Sequence, residues 1–340
     1  LRTVTGVQTC ALPICCDTMS ANTDDAVCAS CGIAEIDEIK LKKCAACESV
    51  QYCSDECERN HRQQHEGECE KRAAELRDEI LFQKPESSYH GDCPICFLPL
   101  PLDPSKSESW SCCSKVICDG CDYAHALRNP LKFTCPFCRQ PFPKSDAEVE
   151  LNLMKRVEKN DPVAMTQMGG LRYREGDYSS AFEYLTKAAE LGDVRAHYNL
   201  SGMYYHGKGV EKDERKVLYH WEEAAIGGHP DARYDLACIE MNNGRPERGV
   251  KHFIIAADLG DENSMKALWK CFSMGYVSKD DLSATLRAHH TAVNATKSPQ
   301  RKAAEEALIR GSSTSRYSNG VTKRSEEHTS ELQSPYVISY

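Results

Sequence analysis

From residue 145 to about 290 the apolar positions recur with a helical period, and the pattern itself repeats. Ala164, Ala196, Ala232 and Ser264 open matching stretches such as AHYNL and ARYDL, spaced 32, 36 and 32 residues apart. A second helical stretch follows in each unit: FEYLTKAAELGD, LYHWEEAAIGGH, HFIIAADLGDEN. One column holds large residues, Leu185, Trp221 and Phe253; the next holds small pairs, Ala188-Ala189, Ala224-Ala225 and Ala256-Ala257. Large and small side chains at fixed offsets are what stacked helix pairs require. The spacing therefore predicts an all-α helical-repeat solenoid over 145–290. The four extra residues of the 36-residue unit fall in the loop around Gly207-Lys208-Gly209-Val210. Helix starts are marked by Asp161-Pro162 and His229-Pro230, with proline in the first turn, and by Ser145 with Glu148, a capping box. Cys238 and Cys271 sit within helical pattern and read as small buried apolar residues.

The first half has no such period. It is organised by cysteine: fifteen of the chain's 20 lie in two blocks, Cys28–Cys69 and Cys93–Cys138. Cys-x-x-Cys pairs recur at 28/31, 44/47, 93/96, 118/121 and 135/138. A tight turn carrying two thiolates supplies half of a tetrahedral zinc site, so the two blocks offer ligands for four zinc ions. In the first block Cys57, His61, His65 and Cys69 recur every four residues, nearly one face of a helix. Nine ligands are offered for eight places. Between the fingers, Glu66 to Phe82 reads as an exposed helix ended before Pro85, and 70–90 as a helical linker. Pro141-Phe142-Pro143-Lys144 reads as a short rigid linker into the repeats.

The order C-x-x-C, C-x-x-C, YCSDEC, H-x-x-x-C over 28–69 resembles the MYND finger. That resemblance implies one zinc on Cys28, Cys31, Cys53 and Cys57, and another on Cys44, Cys47, His65 and Cys69, with His61 left over. Arg62 stands where the family commonly has tryptophan. It also implies binding of short partner peptides, often containing proline.

Residues 91–143 resemble a RING finger, which implies cross-braced sites on Cys93, Cys96, Cys118 and Cys121, and on Cys112, Cys113, Cys135 and Cys138. Lys115 stands where that family delivers a histidine, and a protonated lysine cannot ligate. Adjacent Cys112 and Cys113 make up the number, with His125 as the fallback. The resemblance further implies that Ile95 and Pro136 grip a ubiquitin-conjugating enzyme and that Arg139 orients the ubiquitin thioester. Such a domain acts by positioning, with no catalytic residue of its own. GKGVEKDERK and the helix pairs resemble Sel-like repeats, relatives of the tetratricopeptide family. The three parts in this order resemble an architecture of diatom and related algal proteins.

Composition narrows the partners. A formal charge of −9 argues against salt-driven capture of nucleic acid, and no apolar run reaches the roughly 20 residues of a membrane span. Dense Cys-x-x-Cys pairs favour metal in a reducing compartment, cytoplasm or nucleus. The Gly-Lys-Gly loop lacks the phosphate-binding pattern. VTGVQTCALPI near the start and RSEEHTSELQS near the end read as translated sequencing adapter, so 1–18 and 324–340 are expected to be non-native and 291–323 a tail. The expectation is a RING-type ubiquitin-protein ligase whose MYND finger and repeats select protein partners. The alternative is a non-enzymatic protein–protein interaction adaptor.

Overall fold

A computed structural model describes residues 26–36, 39–130 and 133–310. The two adapter-like ends lie outside the described residues. The chain forms two compact units, Leu1–Asp78 and Glu79–Tyr340.

The first unit has almost no apolar core. Its strands are two residues each: β1 (Lys42–Lys43) pairs antiparallel with β2 (Gln51–Tyr52), Lys42 opposite Tyr52. Among the described residues its buried apolar cluster is Cys28, Cys44, Cys47 and Tyr52. A cluster of three thiols and one ring is far too small to offset the backbone entropy of ordering such a segment. Helix α1 (Asp55–Leu81) follows, started by Ser54, whose Oγ accepts from the Cys57 N–H at 3.2 Å, and by Asp55, Glu56 and Glu58 in the first turn. Both devices suit the positive end of a helix. The helix expected over Glu66–Phe82 is thus the later part of one 27-residue element. The boundary between the units falls in its last turn.

The chain leaves α1 after Leu81, so helix occupies only the first part of the expected 70–90 linker. A hairpin follows, β3 (Ser107–Trp110) against β4 (Lys115–Cys118), in the register Ser107↔Cys118 to Trp110↔Lys115. Helix α2 (Asp119–Arg128) closes the small α/β part. Ser145 then caps α3 (Asp146–Val157) by accepting from the Glu148 N–H. Glu148 in return accepts from the Lys144 N–H at 2.7 Å, one residue before the cap.

The repeats are four antiparallel helix pairs: α4 (Pro162–Glu175) with α5 (Tyr178–Glu190), α6 (Val194–His206) with α7 (Glu214–Ile226), α8 (Pro230–Asn242) with α9 (Pro246–Asp258), and α10 (Glu262–Ser273) with α11 (Lys279–Ala295). The columns read from the sequence are its core: Leu185, Trp221 and Phe253 are buried, as are the three alanine pairs. Ala164, Ala196, Ala232 and Ser264 have no exposed surface, and at these positions the first helices meet their neighbours. Asp161, Asp193 and Asp261 cap α4, α6 and α10. Gly209, at φ +75°, comes so near Tyr178 that a Cβ would lie 2.6 Å from its carbonyl oxygen, which explains the glycine in the long loop. Cys238 and Cys271 are buried as expected.

The expected tail, 291–323, is largely helical as far as it is described, and 311–323 lie outside the described residues. Helix α11 runs to Ala295, and α12 (Pro299–Ile309), capped by Ser298, returns to pack on α2. The stretch entering the hairpin is fixed as well. Arg233 has no exposed surface and donates to the carbonyl oxygens of Leu81 at 2.8 Å and Gln83 at 3.1 Å. It thereby satisfies acceptors that a helix end leaves open. Among the described residues no helix is long and apolar enough to cross a membrane.

Two histidines make this unit sensitive to acid. His229 and His252 are buried, and burial, with Arg195 and His90 near the first and Arg233 and Arg248 near the second, pushes both down to about 3. They stay neutral when folded, whereas the unfolded chain takes up protons near pH 6.5. Below that pH each costs about 1.4 kcal/mol of stability per pH unit until the folded site itself protonates. Urea midpoints should therefore fall between pH 7 and 5. His252→Phe should flatten that slope by one proton; an unchanged slope would mean His252 is charged in the folded state.

Candidate metal centres and a binding cleft

Four of the five Cys-x-x-Cys pairs lie on loops built the same way, and the fifth, Cys118–Cys121, opens α2. The N–H after the second cysteine donates to the first cysteine's carbonyl: Gly32 to Cys28, Glu48 to Cys44, Phe97 to Cys93 and Arg139 to Cys135, at 2.8–3.0 Å. That following residue is left-handed in all four, with φ between 56° and 75°. Three of the four are not glycine, and such a conformation costs a side-chain-bearing residue about 1–2 kcal/mol. Repeated strain of this kind marks a constraint from outside the loop.

Cys112 and Cys113 fit the same design. Ser114, at φ +56°, donates to the Trp110 carbonyl at 2.8 Å, so Trp110 takes the first-cysteine place and Cys113 the second. The turn joining β3 to β4 curls rather than extends, and both sulfurs face one point. Lys115 lies beyond it, exposed on β4. His125 is turned away, its Nε2 3.0 Å from Thr134 Oγ1.

Four groups of side chains result: Cys28, Cys31, Cys53 and Cys57; Cys44, Cys47, His65 and Cys69; Cys93, Cys96, Cys118 and Cys121; Cys112, Cys113, Cys135 and Cys138. Within each group the candidate ligand atoms all lie within 4.8 Å of one another. Sulfur pairs stand 3.3 Å (Cys112–Cys138), 3.5 Å (Cys31–Cys53), 3.6 Å (Cys44–Cys69) and 3.8 Å (Cys96–Cys118, Cys113–Cys135) apart. A disulfide needs about 2.05 Å. Sulfurs at the corners of a zinc tetrahedron, about 2.3 Å from the metal, are about 3.8 Å apart. The spacing fits the metal and not the bond. His65 Nε2 joins its group 3.1 Å from Cys47. His61 is the ninth and stays out: it stacks on His65 at 5.7 Å and lies 3.1 Å from the Tyr52 hydroxyl.

The electrostatics agree. Cys93, bonded by the Cys118 thiol, drops to about 4, and Cys135, bonded by Cys112 and Cys113, drops to about 2. Their neighbours go the other way. Burial first, then the Cys93 charge among other neighbours, pushes Cys121 to about 12 even though the Cys118 thiol pulls it down. Thiols packed this tightly support one anion and resist a second. A divalent cation at the centre reverses that resistance and deprotonates coordinating thiols outright. The four groups are compatible with zinc and offer four sites.

Ile95, Phe97 and Phe137 are exposed apolar residues on the two Cys-x-x-Cys loops of the second finger; Arg139 is exposed and Pro136 half-buried. Within the second unit a cleft of about 1300 Å³ separates this finger from the first helices of the repeats. Its lining includes Trp110 on β3, Tyr173 on α4, and Tyr198 and Asn199 on α6. On its floor His229 is sandwiched between Tyr89 and Tyr198, with ring centroids 4.3 and 4.2 Å away. Gln167 on α4 reaches across to Ser109 Oγ at 2.5 Å. Thr166 and Tyr173, both buried, also contribute to its lining. Of these residues sequence reasoning named His229 alone, and that as a helix start, because a cleft between distant segments has no period in either.

Residues 28–69 match the family model of the MYND finger, and residues 162–193, 194–229 and 230–261 each match that of the Sel1 repeat. The chain thus carries a MYND finger and three Sel1 repeats, with a fourth helix pair, α10–α11, beyond them. HcpC of Helicobacter pylori is 35% identical over 60 residues, 18% of this chain and 21% of that protein. DAP3-binding cell death enhancer 1 of Mus musculus is 26% identical over 195 residues, 46% of this chain and 38% of that protein. The chain therefore spans well under half the length of either relative. The crystal structure of a Sel1 repeat protein from Oxalobacter formigenes shares 22% identity at a TM-score of 0.38, covering 56% of this chain and 79% of that one.

Proposed function

We propose that the chain is a zinc-dependent protein-interaction adaptor in which the cleft between the second finger and the repeats takes a peptide segment of the partner. The observation that carries this is the cleft's fixed build. Gln167 and the Tyr89–His229–Tyr198 stack hold its walls at set positions. Preformed walls reduce the ordering cost of binding, and about 1300 Å³ exceeds the usual 300–1,000 Å³ of a small-molecule site. The acidic chain and a reducing, cytoplasmic or nuclear setting accord with protein partners over nucleic acid. Peptides selected from a random display library on the full chain should lose at least tenfold in affinity on Asn199→Arg. Selected peptides that ignore this change but need His65 would move the function to the MYND finger.

The ligase reading goes one step further, and the exposure of Ile95 and Arg139 favours it. The partner would be a ubiquitin-conjugating enzyme, with Pro136 beside Ile95 at the contact. Ile95→Ala should weaken capture of that enzyme by about thirty-fold, since one central anchor can carry about 2 kcal/mol. Arg139→Ala should leave capture intact and slow ubiquitin transfer. Absence of transfer by the wild type across a panel of conjugating enzymes would leave the adaptor reading alone.

A further inference from the structure

Helix α12, in the first part of the expected tail, reaches the second finger at a chemically loaded point. Arg301, in the first turn of α12, donates from Nη1 to the Pro99 carbonyl at 2.7 Å and from Nη2 to the Leu98 carbonyl at 3.2 Å. The same Nη2 lies 3.5 Å from Cys96 Sγ. Its geometry is set from behind by Nη1 on the Thr296 carbonyl at 2.6 Å and by Ser298, whose Oγ takes the Arg301 N–H. On the other side of the thiol cluster is Gly120, between Cys118 and Cys121. A Cβ there would stand 2.6 Å from the Arg301 backbone nitrogen and 2.8 Å from its Cγ. One residue therefore touches both ligand-bearing segments, the Cys93–Cys96 loop and the Cys118–Cys121 turn. Glu305, one turn on, adds a surface ion pair to Lys106 at 3.5 Å.

We infer that α12 is a working part of the second finger, and that Arg301 is a positioning residue for the metal centre of Cys93, Cys96, Cys118 and Cys121. The inference rests on the zinc reading of that cluster. Four thiolates around a dication leave a net charge of about −2, and an arginine donating to one sulfur offsets part of it. Its planar fork simultaneously pins two carbonyls of the loop that carries the ligand, which a lysine's point charge cannot do. Partners of this kind around metal ligands typically alter affinity by about 10–100-fold. The Cys112, Cys113, Cys135 and Cys138 cluster has no such contact with Arg301, and this asymmetry makes the idea testable.

The test is timed cysteine alkylation of the zinc-loaded full chain in the presence of a chelator, read site by site by mass spectrometry. Arg301→Ala should speed labelling of Cys93, Cys96, Cys118 and Cys121 at least tenfold and leave the other cluster at wild-type rates. Arg301→Lys should recover only part of the protection. Gly120→Val, which wedges α12 away without touching any ligand, should reproduce the alanine result. Equal rates in wild type and Arg301→Ala overturn the inference. So does a rise across both clusters together, since it makes α12 a general brace. Immediate labelling of the four cysteines in the wild type would instead remove the zinc reading beneath it.

Discussion

Metal analysis of the full chain is expected to give close to four zinc ions per molecule, and chelation is expected to unfold both fingers while most helical signal persists. The magnitude comes from what the fingers lack. The first unit's core is three thiols and a tyrosine, and its strands are two residues long, whereas structural zinc contributes about 10–16 kcal/mol in finger peptides. Each ion also relieves the resistance of packed thiols to a second negative charge. Changing either Cys112 or Cys113 to serine should reduce the content to about three, and Lys115→Ala should leave about four. A wild-type value near two would show that half of the clusters are not metal centres. Loss of all helical signal on chelation would show that the repeats depend on the fingers.

Trp221→Ala should be the most damaging single change in the repeats. Trp221 is buried on α7 among Leu81, Tyr204, Val217, Ala232 and Leu236, joining two successive helix pairs and the segment that leads to the hairpin. Truncating a buried aromatic costs about 3–5 kcal/mol, a large share of the roughly 5–15 kcal/mol by which domains are stable. The melting temperature should fall by roughly 10 °C. Hydrogen exchange should show the loss first in α6–α9, since repeat arrays communicate through nearest neighbours. Trp269→Ala is the control: half of that side chain is exposed, so its effect should be a small fraction of the other. Comparable losses in the two variants would contradict the assignment of Trp221 to the core.

How much was legible depended on whether a feature lies within one segment. The repeat columns were, because Leu185, Trp221 and Phe253 occupy equivalent places in successive units and the fold buries each one. The Cys-x-x-Cys half-sites were too, since spacing alone brings two sulfurs to one side of a turn, whereas which half-sites share an ion came from the resemblance to the MYND and RING fingers. Why Cys112 and Cys113 converge was not. The answer lies in the left-handed Ser114 and its bond to Trp110, and neither residue looks like part of a metal loop. Helix α12 could have been found: Ser298-Pro299 carries the same start signal as Asp161-Pro162, but it stands outside the repeating period. Its landing place could not, because Arg301 and Gly120 are 181 positions apart and their meeting is a product of the whole array.

That meeting bears on how such a chain changes by duplication. An open array of stacked helix pairs gains or loses a copy at little cost, each new unit simply adding to the row. Here α12, the last helix among the described residues, must come back to an element that precedes the first pair. One more copy of 32–36 residues would carry α12 onward by the thickness of a helix layer, about 8–10 Å, and tear it from Gly120. One fewer would leave it short. The copy number is therefore fixed by closure, as the length of a belt is fixed by its buckle. Variation between related chains of this build should collect in the loops and at the surface, with the count of repeats held constant.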